Sequence, residues 1–136
     1  MPAAKLSFAQ CDKIALRLHE RMPMIARHWR GWTEVRNADA YESLLKSRVL
    51  PELKRVAGYR GGYVLRSEGT EEVEFVVVNL FDSIESVRLF AGADYSTPVF
   101  EPEARLLLSR VEPTARHYEV RASTVQIGHQ EADIGF

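Results

Sequence analysis

The stretch from Val73 to Phe81, VEFVVVNLF, constrains this chain more than any other. The β-branched run Val76-Val77-Val78 favours a strand, and alternation then sets Val76, Val78 and Leu80 opposite Phe75, Val77 and Phe81. A strand that is apolar on both sides needs cover on both faces. Just before it, Glu68-Gly69-Thr70-Glu71 reads as a turn, and Tyr59 to Arg66 reads as a strand with Tyr63 and Leu65 on one face. So short a connection makes an antiparallel hairpin. Gly61 and Gly62 mark a bulge or a close approach of another group.

Other elements group around this hairpin. Ile25 to Trp32 alternates as a first strand, with Arg27 and Trp29 on one face and His28, Arg30 and Trp32 on the other. From about Asn37 to Val56, a helix buries Tyr41, Leu44, Leu45, Val49, Leu53 and Val56. Pro51 must break or kink it near Val49–Leu50, and Gly58 suits a left-handed stop. Asp82 or Ser83 caps a second helix that runs through Val87 and Phe90 to Gly92. A loop with Tyr95 and Phe100 follows, then one helical turn from Glu103 to Leu108 and a last strand from Glu112 to Arg121.

The order strand, helix, strand, strand, helix, strand predicts an α+β fold. It is the ferredoxin-like βαββαβ arrangement, a four-stranded antiparallel sheet with both helices on one face. The other face is then bare, and burying it against a second copy contributes ~25 cal/mol per Å². A homodimer is the expectation. Residues 1–23 read as an N-terminal helical extension: Ser7 and Gln10 have capping-box spacing, and Phe8, Cys11, Ile14, Ala15 and Leu18 form one stripe. Because the domain opens at residue 24, Met22 or Met24 is an alternative start. Residues 122–136 form a tail of little periodicity.

Composition excludes several function classes. The 136 residues carry a net charge of −1 without a run of five like charges, so neither nucleic acid nor an anionic membrane is an expected partner. No apolar run reaches the ~18–20 residues of a membrane span. The single cysteine, Cys11, forbids an intramolecular disulfide. A cytoplasmic protein is the expectation.

Four segments carry a family resemblance: Met24 to Gly31 (MIARHWRG), Pro51 to Tyr63 (PELKRVAGYRGGY), Leu80 to Tyr95 (LFDSIESVRLFAGADY) and His117 to Val120 (HYEV). Over residues 24–121 the chain resembles the antibiotic biosynthesis monooxygenase family. The resemblance implies a dimeric α/β barrel with a pocket between each sheet and its helices. It also implies chemistry of either cofactor-free oxygenation of phenols and quinones or haem degradation. The haem-degrading branch carries an Asn on the first strand and a His at the second helix, and this chain has neither. Phe81 stands where many relatives have Trp.

His28 and His117 lie on strands that neighbour one another in this order, and a histidine near its ordinary pKa can act as a base toward a phenol. They are the candidate catalytic residues. Each can equally be a strand residue bonded to backbone or a dimer contact. Trp29, Tyr63, Asn79 and Tyr95 are the candidate substrate-binding residues. Glu119 has no ligand spacing with His117, so no metal is expected, and no cofactor. For Arg27 and Arg30, half-buried on a strand, salt bridges to Glu74 or Glu119 are the expected partners. The leading function is a cofactor-independent monooxygenase acting on a small aromatic molecule of phenol or quinone type. The alternatives are a non-catalytic dimeric small-molecule-binding or stress-type protein and a dimerisation unit that docks another protein.

Overall fold

A computed structural model describes residues 23–124; the expected N-terminal helix and most of the tail lie outside them. Strand β1 spans Ile25–Glu34, β2 Tyr59–Glu68 and β3 Glu72–Phe81. β3 lies between β2 and β1, antiparallel to both, with Ile25 opposite Phe81 and Glu34 opposite Glu72. The remaining edge of β1 is covered by two short antiparallel strands, β4 (Leu108–Val111) and β5 (Arg116–Glu119). The order β2-β3-β1 followed by the β4/β5 edge is the expected ferredoxin-like sheet.

The single last strand expected over Glu112 to Arg121 is therefore two pieces. Pro113 has no N–H to offer the ladder, so the chain leaves β1 after the Glu112 N–H bonds Arg30 O at 2.9 Å and rejoins it at Arg116. The expected turn at Glu103 to Leu108 is helix α4, Pro102–Leu107.

The long helix also differs from expectation. It comprises α1 (Ala38–Leu44), a π-helical segment (Leu45–Val49) and α2 (Leu50–Lys54). The break expected near Val49–Leu50 takes the form of a widened backbone just before Pro51, where the Leu50 N–H donates to Leu45 O five residues back. The wider turn gives the proline ring room beside the preceding carbonyls. Helix α3 (Ile84–Ala91) starts at Ser83, whose hydroxyl accepts from the Ser86 N–H at 3.3 Å, and stops at Gly92 with φ 89°.

Every helix packs on one face of the sheet. Val73 and Phe75 pack with Ala38, Tyr41, Leu44, Leu45 and Ala104, while Ile25 and Phe81 pack with Leu53 and Val87. All four strand residues point the same way by register. The opposite face is bare and of two characters. Ala26, Val76, Val78, Leu80, Tyr63 and Leu65 form an apolar end. At the other end, Arg30 bridges Glu74 and Glu112 at 3.2 Å each, and the guanidinium groups of Arg30 and Arg110 both lie against the Trp32 ring. The both-sided apolarity of β3 thus has one half satisfied within this chain.

Candidate functional site

A cleft of about 60 Å³ opens between the sheet and the helices. Its floor is Arg27, Trp29, Val77 and Asn79 from the inner face of β1 and β3. Tyr41, Leu45, Val49 and Leu53 form a wall, so the π-helical segment supplies two of its side chains. Phe90 and the rim residues 98–101 close the other side. The lining is apolar except for a few polar points, as small-molecule sites usually are.

Two of those points are buried on the floor. Asn79, 4% exposed, faces Arg27 across the β1–β3 ladder, and its Oδ1 accepts from the Tyr59 hydroxyl at 2.9 Å. Gly62 is what lets β2 come this close: a Cβ there would sit 2.3 Å from that same Oδ1.

Arg27 is 5% exposed, and among the described residues it has no carboxylate partner within 4 Å. It donates instead to the Tyr95 carbonyl, to the Thr97 carbonyl at 3.2 Å and to His117 Nε2 at 3.0 Å, with its guanidinium over the Phe90 ring. The expected salt bridge holds for Arg30 and fails for Arg27; Glu119 pairs with Arg121 instead. Burial lowers the Arg27 pKa to about 10, which still leaves it charged at neutral pH. Because an arginine N–H must donate, His117 Nε2 accepts, and that requires a neutral imidazole. Burial first, and the Arg27 charge second, hold the His117 pKa below its ordinary 6.5, which favours that neutral form.

The candidate residues separate into two groups. Trp29 and Asn79 line the cleft, and Trp29 also donates its indole N–H to Glu112 O at 2.9 Å. Tyr95 stands behind Arg27, with its ring edge-on to His117 at 5.0 Å. Tyr63 is 54% exposed on the bare face. His28 is on that face too, opposite Arg116, whereas His117 is opposite Arg27. The two histidines therefore point to opposite sides of the sheet and cannot share one ligand within a chain. His28 borders a separate open groove of about 480 Å³ with Arg30, Glu74, Arg116 and Tyr118. The residue the sequence underrated is Arg27; its signal was the absence of any acid on the Trp29 face of β3, where Asn79 stands opposite it.

No helix among the described residues is long and apolar enough to cross a membrane, and none of them form a cluster of three metal-ligating side chains. No family model and no curated protein matches this sequence. Solved structures do match its fold. One is a Bacillus cereus protein provisionally named as an antibiotic biosynthesis monooxygenase, at TM-score 0.55 and 15% identity, covering 76% of this chain and 98% of that one. Another is a Streptomyces coelicolor monooxygenase in complex with the ligand nanaomycin D, at TM-score 0.51 and 16% identity, covering 78% and 94%. The fold is that of antibiotic biosynthesis monooxygenase structures. At these identities the likeness carries the fold alone.

Proposed function

We propose that this chain is a cofactor-independent monooxygenase that takes a small phenol- or quinone-type aromatic into the cleft between sheet and helices. The observation that carries the reading is the uncompensated Arg27 charge on the floor of an otherwise apolar cleft, in a fold shared with monooxygenases. A cation there stabilises an aromatic oxyanion, the electron-rich form that reacts with oxygen directly.

For an anthrone-like ring the steps balance without a cofactor. The ring anion, its oxygen on Arg27 and on the Asn79 amide, forms a C–O bond to dioxygen and picks up a proton to become a hydroperoxide. Removal of the remaining C–H proton breaks the O–O bond, leaving a carbonyl and water. His117 is the base for that step: once the ligand oxygen takes over the guanidinium N–H, the Nε2 lone pair is freed. Trp29 and Phe100, edge to face at 5.4 Å, flank the ring. A cleft of about 60 Å³ is smaller than the ~150 Å³ that holds benzene, so residues 98–101 swing outward on binding.

The same reading includes a homodimer formed through the apolar end of the bare sheet face, which sets the cleft on the outer side of each sheet. Oxygen uptake with anthrones and hydroquinones tests the activity. Wild-type turnover should fall at least ~100-fold in His117→Ala and stay near wild type in His28→Ala. A variant pair with equal rates would remove His117 from the chemistry.

A further inference from the structure

The charge balance around Arg27 says more about the ligand than its shape does. From β5 the guanidinium meets a neutral imidazole, from the 95–97 loop two carbonyls, from β3 the Asn79 amide and from α3 the Phe90 ring. Of the nearby carboxylates, Glu101 belongs to the rim of the cleft and Glu119, on the same face of β5 as His117, pairs with Arg121; among the described residues neither makes an ion pair with Arg27. The floor therefore carries one net positive charge at rest. A neutral ligand that seals the cleft removes water and leaves that charge buried without a counter-charge, a costly state. Storing the ligand's first proton on His117 does not help, because an imidazolium that persists 3.0 Å from the guanidinium puts two cations side by side; the later C–H proton only passes through His117 to the departing hydroxide, which becomes the water released.

The donor count agrees. A guanidinium has five N–H groups, and the protein takes three of those on Arg27, two through Nη1 and one through Nη2. The Nε–H and the second Nη2–H remain for an incoming acceptor, and an anionic oxygen that also draws the Nη1–H away from His117 frees that imidazole; charge-assisted bonds of this kind are roughly twice as strong as neutral ones.

We propose that the cleft takes its aromatic ligand as a preformed monoanion, and that Arg27 selects the charge. The anionic oxygen is a carboxylate or an already ionised ring hydroxyl, so the first proton is shed in solution and not inside the protein. This rests on the cleft being the ligand site, as above, but it does not need the ligand to be oxidised.

Calorimetric titration of the full chain at neutral pH separates the two. The probes are 2-hydroxy-1,4-naphthoquinone, whose hydroxyl is ionised, 1-hydroxy-2-naphthoate, which carries a carboxylate, and the uncharged 1,4-naphthoquinone and 1-naphthol. At least one anion should bind about tenfold or more tighter than both neutral probes, and which anion wins identifies the oxygen. Arg27→Gln should reduce the preference to under about threefold, with Arg27→Lys retaining part of it. Equal or tighter binding of the neutral probes by the wild type overturns the inference, needs no variant to fold, and leaves the oxygenase reading intact. A preference that survives in folded Arg27→Gln also overturns it. Anion binding by a protein that takes up no oxygen with anthrones or hydroquinones supports it and removes the oxygenase reading instead. No binding of any probe overturns both.

Discussion

Two adjacent glycines on β2 offer a direct test of how the floor of the cleft is built. Gly61 has φ 116° and nothing within 4 Å of where a Cβ would stand. Gly61→Ala is therefore a pure backbone-strain change, costing about 1–2 kcal/mol. Gly62 needs no left-handed backbone, but its Cβ would lie 2.3 Å from Asn79 Oδ1, 2.4 Å from Val78 O and 3.0 Å from Asn79 Cα. The amide can swing away at the loss of its bond from Tyr59, about 1 kcal/mol. The Val78 carbonyl is main chain of the central strand and cannot. An ordinary carbon–oxygen contact is about 3.3 Å, so β2 must retreat by about 0.9 Å. Overpacking of that kind costs about 1–3 kcal/mol. Gly62→Ala is expected to lose about 2–4 kcal/mol in urea unfolding followed by far-ultraviolet circular dichroism, clearly more than Gly61→Ala. Combining it with Asn79→Ala removes only the side-chain part, so most of the additional loss should persist. A Gly61→Ala loss equal to or larger than that of Gly62→Ala would refute the reasoning.

Further expectations concern the core, the histidine and the bare face. Phe81→Ala empties a fully buried position beside Tyr59 and Phe90 and should cost about 3–5 kcal/mol in the same unfolding assay. The His117 pKa is lower folded than unfolded, so its contribution is complete above the unfolded value of 6.5 and is lost as pH falls toward the folded value. Urea midpoints compared at about pH 7.5 and pH 5 should drop less in His117→Gln than in wild type; an unchanged difference would exclude this histidine. Val78→Asp, at the apolar end of the exposed sheet face, should weaken self-association by about 2–3 kcal/mol in sedimentation velocity. A wild-type monomer at micromolar concentration would refute the dimer.

Much of the architecture was legible because it follows from local chemistry. The valine run of β3, the double glycine at the Gly61 bulge and the Ser83 cap each act over a few residues. The stop expected at Gly58 falls earlier: α2 ends at Lys54, and Gly58, at φ 88°, lies in the turn just before β2. The site was less legible because it depends on parity between distant strands. Alternation places Arg27 and His28 on opposite faces of β1, but which of them His117 joins is set by how much chain leaves the sheet around Pro113. Nothing local gives that number. Likewise, alternation groups Arg27 with Trp29; that carbonyls from the 95–97 loop receive it, in place of an acid, depends on the loop's path.

The widened turn before Pro51 also has a genetic reading. A π segment holds one residue more than a regular α-helix allots to the same rise, so residues 45–49 contain a surplus position. Deleting any one of them would take up that surplus and restore regular winding, so the turns beyond would keep their facing and Leu53 would stay enclosed. The cost would fall on Pro51, whose ring would lose the wider turn beside it. The surplus is thus slack: one codon lost here would do less harm than the same loss from a regular helix, where everything beyond it turns by about 100°.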